Sequence, residues 1–249
     1  MRADFEKLKN VAENWTPEEI LVWAFSTYGD DVALATGMGV EGMALLDIAW
    51  RLNPEVRVFT GDTEFLFPET YDLMDRVEDR YGIKIERLYA DLTPKDQEAG
   101  YGKELWARDP DQCCQLRKVE PLRRKLATLD AWVTAIRRDQ TPARASIRKV
   151  DWDTKFNLVK ISPLADWSRK EIWNYVIKNG VPYNVLHDRN YPSIGCTHCT
   201  RAVLPGEDQR AGRWSGFGKT ECGLHAPSSR PAQPAVELVQ LTTAAAGDD

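Results

Sequence analysis

Short continuous apolar runs alternate along this chain with stretches whose apolar residues recur every three to four positions, the pattern of buried strands joined by amphipathic helices. The opening predicts two helices. In the second, Thr16-Pro17-Glu18-Glu19 forms a capping box with proline at the first helical position, ahead of Ile20, Leu21, Trp23 and Ala24. Asp31–Thr36 then holds a short apolar run that ends in Gly37-Met38-Gly39, and a helical pattern follows over Glu41–Arg51. A buried strand, a glycine-bearing turn and a helix make the phosphate-binding arrangement of open α/β sheets.

The alternation continues. Asn53-Pro54 breaks the helix, Val56–Thr60 is the next strand, and Gly61–Glu64 is a loop leading to a helix from Pro68 through Tyr81. Lys84–Leu88 is a strand, Leu116–Leu129 a helix, Ala131–Ile136 and Lys155–Ile161 strands, and Ser168–Asn179 a helix stopped by Gly180 and Pro182. This order predicts an α/β fold, a mostly parallel sheet with helices on both faces and ligands at the carboxyl ends of the strands. From about Asn184 the chain is rich in turns. We expect a body over residues 1–205 and a mobile C-terminal segment over 206–249, with Ala244–Asp249 as a frayed tail.

The length of 249 residues, with 43% hydrophobic and 29% charged residues, suits one large domain with a packed core. No window approaches the ~18 uninterrupted apolar residues of a membrane span. The opening MRADFEKLKN carries charges where a signal peptide is apolar, so a cytoplasmic location without membrane contact is expected. The net charge of −5 is unevenly distributed: residues 1–112 carry 12 Lys+Arg against 24 Asp+Glu, and residues 113–249 carry 21 against 14. An acidic half joined to a basic half points to a small anionic ligand ahead of nucleic acid.

All five cysteines lie in the basic half. Cys113-Cys114 and, after 81 intervening residues, Cys196-Thr197-His198-Cys199 supply four thiols in two close pairs, suited to tetrahedral zinc or an iron–sulfur cluster. Adjacent cysteines are awkward ligands for one compact zinc ion, so the cluster is the preferred expectation. Taken alone, Cys196-x-x-Cys199 also reads as a redox dithiol or a zinc knuckle. Cys222, in Glu221-Cys222-Gly223-Leu224-His225, stands apart. Basic residues gather in the same half: Arg117 and Lys118 just after the cysteine pair, Arg137-Arg138-Asp139-Gln140 beyond a predicted strand, and Arg210 and Arg213 around Ala211-Gly212. Arginine forks fit tetrahedral oxyanions, and lysine adds a point charge.

These motifs together resemble the assimilatory adenylyl-sulfate reductases of the sulfonucleotide reductase family. The shared stretches are Phe65–Tyr71, Cys113–Leu122, Arg137–Gln140, Val181–His187, Tyr191–Cys196 with Cys199–Ala202, Gly206–Asp208 with Arg210–Trp214, and Glu221–His225, so the resemblance spans roughly residues 30–225. It implies an adenine nucleotide α-hydrolase-like fold and one 4Fe–4S cluster per subunit on Cys113, Cys114, Cys196 and Cys199. It implies that Cys222 attacks the sulfur of adenosine 5′-phosphosulfate, expelling AMP and leaving an S-sulfonate from which thioredoxin releases sulfite. Lys118, Arg210, Arg213 and His225 would contact the phosphosulfate. Thr36, Gly37 and Gly39, Asp62 and Thr63, and Arg137, Arg138, Asp139 and Gln140 would hold the nucleotide. A homo-oligomer is expected, with no nucleic acid partner.

The chain also departs from related ATP pyrophosphatases. Their Ser-Gly-Gly-x-Asp-Ser loop is replaced by Thr36-Gly37-Met38-Gly39-Val40-Glu41, which argues against ATP cleavage and adenylating chemistry on tRNA. Asp62-Thr63-Glu64 stands for Asp-Thr-Gly, and Ala135 for a glycine. Phosphoadenylyl sulfate is the closest rival substrate, though relatives restricted to it generally lack the cluster cysteines. A non-enzymatic nucleotide sensor would leave Cys222 idle.

Overall fold

The computed structural model describes residues 2–219 and 221–224. His225 and the tail at Ala244–Asp249 lie outside the described residues. Helices α1 (Arg2–Val11) and α2 (Pro17–Tyr28) open the chain as predicted. The capping box is complete, with the Glu19 amide donating to Thr16 Oγ1 at 3.2 Å and the Thr16 amide to Glu19 Oε2 at 2.7 Å.

Among the described residues six strands follow: β1 (Val32–Ala35), β2 (Val58–Gly61), β3 (Ile85–Leu88), β4 (Ala131–Thr134), β5 (Val150–Asp153) and β6 (Leu158–Ile161), in the order β3-β2-β1-β4-β6-β5. All neighbours pair in parallel except β5 with β6. The sequence predicts a strand over Lys155–Ile161, but Lys155–Asn157 form the turn of the β5–β6 hairpin. There Asp153 Oδ1 accepts from the amides of Lys155 (3.0 Å) and Phe156 (3.3 Å), and Asn157 adopts φ +61°.

Strand alternation sorts residues between two cores. Val32 and Leu34 of β1 join the larger one, with apolar residues of α2, α3 (Val40–Leu52), α4 (Pro68–Tyr81) and α9 (Arg169–Asn179). Ala33, Phe59, Trp132 and Leu158 face the opposite side and meet Leu122 and Leu126 of α8 (Glu120–Leu126). Helices therefore cover both faces, as expected, though unequally.

The helix predicted from Leu116 begins earlier. Asp109 caps it, accepting from the Gln112 amide at 2.9 Å, and Pro110 takes its first position. Pro110–Cys114 is α-helical (α7), Gln115–Val119 is a π-helical turn, and α8 completes the run. The cysteine pair thus lies on the helix itself. Two short helices, α5 (Pro94–Tyr101) and α6 (Leu105–Arg108), precede it. Strand order reverses between β1 and β4, so the loops after these strands diverge and open a crevice at their carboxyl ends.

Candidate active site

The crevice is a cavity of about 280 Å³. Its floor is the sheet's carboxyl edge, with Thr36, Gly37 and Gly39 after β1, Thr60, Gly61 and Thr63 at β2, and Thr134 through Arg137 at β4. Gly39 precedes α3 without a side-chain cap, so the helix presents its first amides here. The turn needs close packing: Thr36 Oγ1 accepts from the Met38 amide at 3.0 Å, and a Cβ on Gly42 would lie 2.3 Å from that oxygen.

Cations line the opposite wall. Lys118 comes from the π-helical turn, and Arg210 and Arg213 from the chain beyond the second cysteine pair. The Arg213 guanidinium lies 4.4 Å from the Trp214 ring centre and donates to Ser193 Oγ and to the Ile194 carbonyl, each at 3.3 Å. Cys222 borders the same cavity. Burial opposes the Lys118 charge, but the sulfurs of Cys196, Cys114 and Cys222 outweigh it, so Lys118 holds its proton more tightly than an ordinary lysine. Burial and neighbouring arginines pull Arg210 the other way, against the attraction of Glu221.

A second, smaller cavity adjoins the first. Cys113, Cys114, Cys196 and Cys199 all line it, with Phe65, Trp106 and His198 over them; Trp106 and His198 stack at 4.5 Å and 9°. Lys118 and Trp214 border both cavities and form their common wall. Burial pushes Cys113 up to about 12 and Cys199 up to about 11, and neighbouring thiols add to both shifts. Burial also raises Cys114. Cys196 is the exception: burial opposes its charge, but Lys118, the Thr63 hydroxyl and Arg213 together draw its pKa down. Among the described residues, no group of three or more His, Cys, Asp or Glu side chains is drawn together to hold a metal ion as it stands. The small cavity nonetheless gathers all four sulfurs on its walls, with the imidazole of His198 beside them and no carboxylate.

The structure brings most of the expected residues together: Thr36, Gly37, Gly39, Thr63, Lys118, Arg137, Gln140, Arg210, Arg213 and Cys222 line the cavity. Three expected residues do not. Arg138 turns away to donate to the Ile147 carbonyl at 2.8 Å and to Glu13, tying its loop to the N-terminal helices. Asp139 is half-exposed and pairs with Arg137. Asp62 is buried behind the loop, accepting from the Tyr71 hydroxyl at 2.8 Å and the Glu64 amide at 2.9 Å. Arg117 is likewise committed to structure, donating to Gln97, Glu64 and the Thr63 and Leu92 carbonyls.

Sequence reasoning placed Glu41 in the nucleotide loop but missed its partners, and it missed Arg144 altogether. Glu41, on the first turn of α3, accepts from Arg137 Nη2 (3.2 Å) and Gln140 Nε2 (3.1 Å). Arg144 borders the cavity and is forked onto Glu221. Neither pairing carries a local signal, because only the folded chain places their partners opposite them.

The phosphoadenosine phosphosulfate reductase domain matches residues 31–202. The chain belongs to this reductase family. The reductase is 48% identical over 226 residues to the adenosine 5′-phosphosulfate reductase of Shouchella clausii, covering 90% of this chain and 94% of that protein. It is 46% identical over 208 residues to adenosine 5′-phosphosulfate reductase 2 of Bacillus subtilis, covering 83% and 88%. The phosphoadenylyl-sulfate reductase of Candida auris, solved as a phosphate complex, superposes with a TM-score of 0.69 at 28% identity over 80% of this reductase and 95% of that chain. The FMN adenylyltransferase of Candida glabrata, at 15% identity and TM-score 0.55 over 77% and 62%, shares the fold. The sheet and its helices are those of the adenine nucleotide α-hydrolase-like fold.

Proposed function

We propose that Cys222 is the nucleophile of an adenosine 5′-phosphosulfate reductase acting in sulfate assimilation. One observation carries the assignment: Cys222 borders the same cavity as Lys118, Arg210 and Arg213, at the carboxyl edge of a nucleotide-binding sheet. The relatives at 46–48% identity bear the reductase name.

The thiolate of Cys222 forms a bond to the substrate sulfur as the bond from that sulfur to the bridging phosphate oxygen breaks. AMP leaves with the electron pair, and Cys222 carries an S-sulfonate. Attack on an anionic sulfo group is opposed by charge, and the three cations offset that repulsion and stabilise the departing phosphate. The strand-end loops and the start of α3 hold the nucleotide. A dithiol of the thioredoxin class then attacks the Cys222 sulfur, expelling sulfite. Its second thiol closes a disulfide and frees Cys222.

Cys113, Cys114, Cys196 and Cys199 would hold a 4Fe–4S cluster. Four sulfurs around one small, carboxylate-free cavity support that ligand set. When bound, the cluster contributes charge and rigidity beside the substrate cavity.

The experiment is incubation of wild-type protein and Cys222→Ser with adenosine 5′-phosphosulfate, followed by peptide mass spectrometry and a thioredoxin-coupled sulfite assay. We expect an S-sulfonate on Cys222 and loss of sulfite release in the variant. Normal sulfite release by Cys222→Ser sinks the nucleophile assignment. Comparing kcat/KM on the 3′-phosphorylated nucleotide checks the substrate.

A further inference from the structure

We propose that Arg144 and Glu221 are a positioning pair, a latch that holds Cys222 against the substrate cavity and releases it as a unit. The functional meaning of the latch rests on Cys222 being the nucleophile; its existence does not.

Glu221 directly precedes Cys222, and its carboxylate is gripped from two sides. Arg144 donates from Nε to Oε1 at 2.8 Å and from Nη2 to Oε2 at 2.7 Å, a fork-to-fork pair. The Thr141 hydroxyl donates to Oε1 at 3.0 Å, and Arg210 Nη2 stands 3.6 Å from Oε2. The paired side chains are 10% and 9% exposed. Burial alone would raise the Glu221 pKa, but Arg144 and Arg210 hold it below the usual carboxylate range. A buried pair of this kind tolerates no half-broken state, because the remaining charge would be stranded without its partner. The segment therefore docks with the pair intact or leaves with Glu221 in water.

Two more contacts anchor the chain just beyond Cys222. Lys155 Nζ donates to the Gly223 carbonyl, and Leu224 packs on the smaller core of Ala33, Phe59, Trp132 and Leu158. Gly223 takes φ +84°, turning the chain between the cysteine and this anchor. On the cavity side, Arg144 Nη1 also donates to Gln140, whose Nε2 reaches Glu41 at 3.1 Å. The latch is thus continuous with loops that line the cavity. A cysteine that must face a nucleotide and afterwards meet a second protein's thiol needs such a reversible hold.

The test is the rate at which iodoacetamide alkylates Cys222 in the full chain under anaerobic conditions, read at the Cys222 peptide by mass spectrometry. Arg144→Ala and Glu221→Gln are each expected to raise that rate at least fivefold, with Arg144→Lys intermediate because an ammonium cannot fork. Reversing both charges, Arg144→Glu with Glu221→Arg, is expected to bring labelling back toward the wild-type rate. Thr141→Val removes one hydroxyl bond to the carboxylate and leaves the Arg144 fork in place, so it should raise the rate, but by less than Arg144→Ala. If these variants label at the wild-type rate, or the double reversal labels faster than either single change, the latch is refuted. Because labelling reports docking whether or not Cys222 reacts with the nucleotide, failure of the nucleophile assignment would show in the Cys222→Ser sulfite assay instead. For Glu221→Gln, kcat should fall while equilibrium affinity for AMP changes less than twofold; an equal loss in both would also overturn the proposal.

Discussion

The hydroxyl of Thr63 lies 3.2 Å from the sulfur of Cys196. Thr63 is buried in the loop after β2 and borders the substrate cavity, whereas Cys196 borders the sulfur cavity. One hydrogen bond therefore joins the nucleotide loop to the cysteine array, beside the wall that Lys118 and Trp214 provide. Thr63→Val keeps the shape and removes the bond. With a hydrogen bond to a charged group worth about 1.5 kcal/mol, kcat/KM for adenosine 5′-phosphosulfate should fall about tenfold. The visible absorption of anaerobically prepared protein should shift as well. Steady-state kinetics and spectra identical to wild type would show that the contact has no part in either site.

Gly195 and Gly212 separate a cost to binding from a cost to folding. A Cβ on Gly195 would stand 2.4 Å from Nη2 of Arg213, the far end of a flexible side chain, which can move aside. A Cβ on Gly212 would stand 2.2 Å from the Arg201 carbonyl oxygen, part of a backbone held in place by the Arg201 amide donating to the Gly212 carbonyl. We expect Gly195→Ala to keep Tm within a few degrees but raise KM about tenfold as the guanidinium leaves its place. Gly212→Ala should lose roughly 2 kcal/mol of stability or more. Chemical denaturation alongside KM measurements distinguishes them, and the reverse ordering would overturn the assignment of Arg213 to the substrate.

Lys160 predicts an alkaline effect. Burial on β6 draws its pKa below the ordinary 10.5, with Asp153 offsetting part of the shift. Between its folded value and 10.5 the unfolded chain binds more protons, so this lysine makes folding stability rise with pH. Tyr81 and Tyr175, raised by burial and by Asp47, act in the opposite sense above about pH 10. The gain should therefore appear on approach to pH 10. Urea midpoints of wild type and Lys160→Met, compared between pH 8 and 10, should show a rising increment in the wild type alone. Parallel profiles would contradict it.

Much of the fold was legible because its strands are short apolar runs and its helices carry caps. Val32–Ala35 and Ala131–Thr134 are covered on both faces of the sheet, so their sequences run almost without a polar residue. Strand β5 escaped because Val150-Asp151-Trp152-Asp153 is a four-residue edge strand that alternates apolar and acidic residues, with Trp152 exposed. The site divides along the same line. The cysteines were legible by type and pairing, which survive without coordinates. Arg137 and Arg138, adjacent in sequence, end on opposite sides of their loop, one in the cavity and one against Glu13, and composition does not distinguish them. The Arg144–Glu221 pair depends on residues 77 positions apart meeting in space.

The π-helical turn at Gln115–Val119 constrains how this family member can change. Successive residues of an ordinary helix are separated by about 100° of rotation. Ahead of the wide turn the helix carries two of the four thiols, within it Lys118, and beyond it Leu122 under the substrate cavity. Straightening the turn into ordinary helix at unchanged length would rotate the thiols by roughly a quarter turn relative to Leu122 while leaving every side chain chemically intact. Lineages in which that register slipped would forfeit the sulfur cavity and the substrate cavity in a single step, so the wide turn should be as invariant as any functional group.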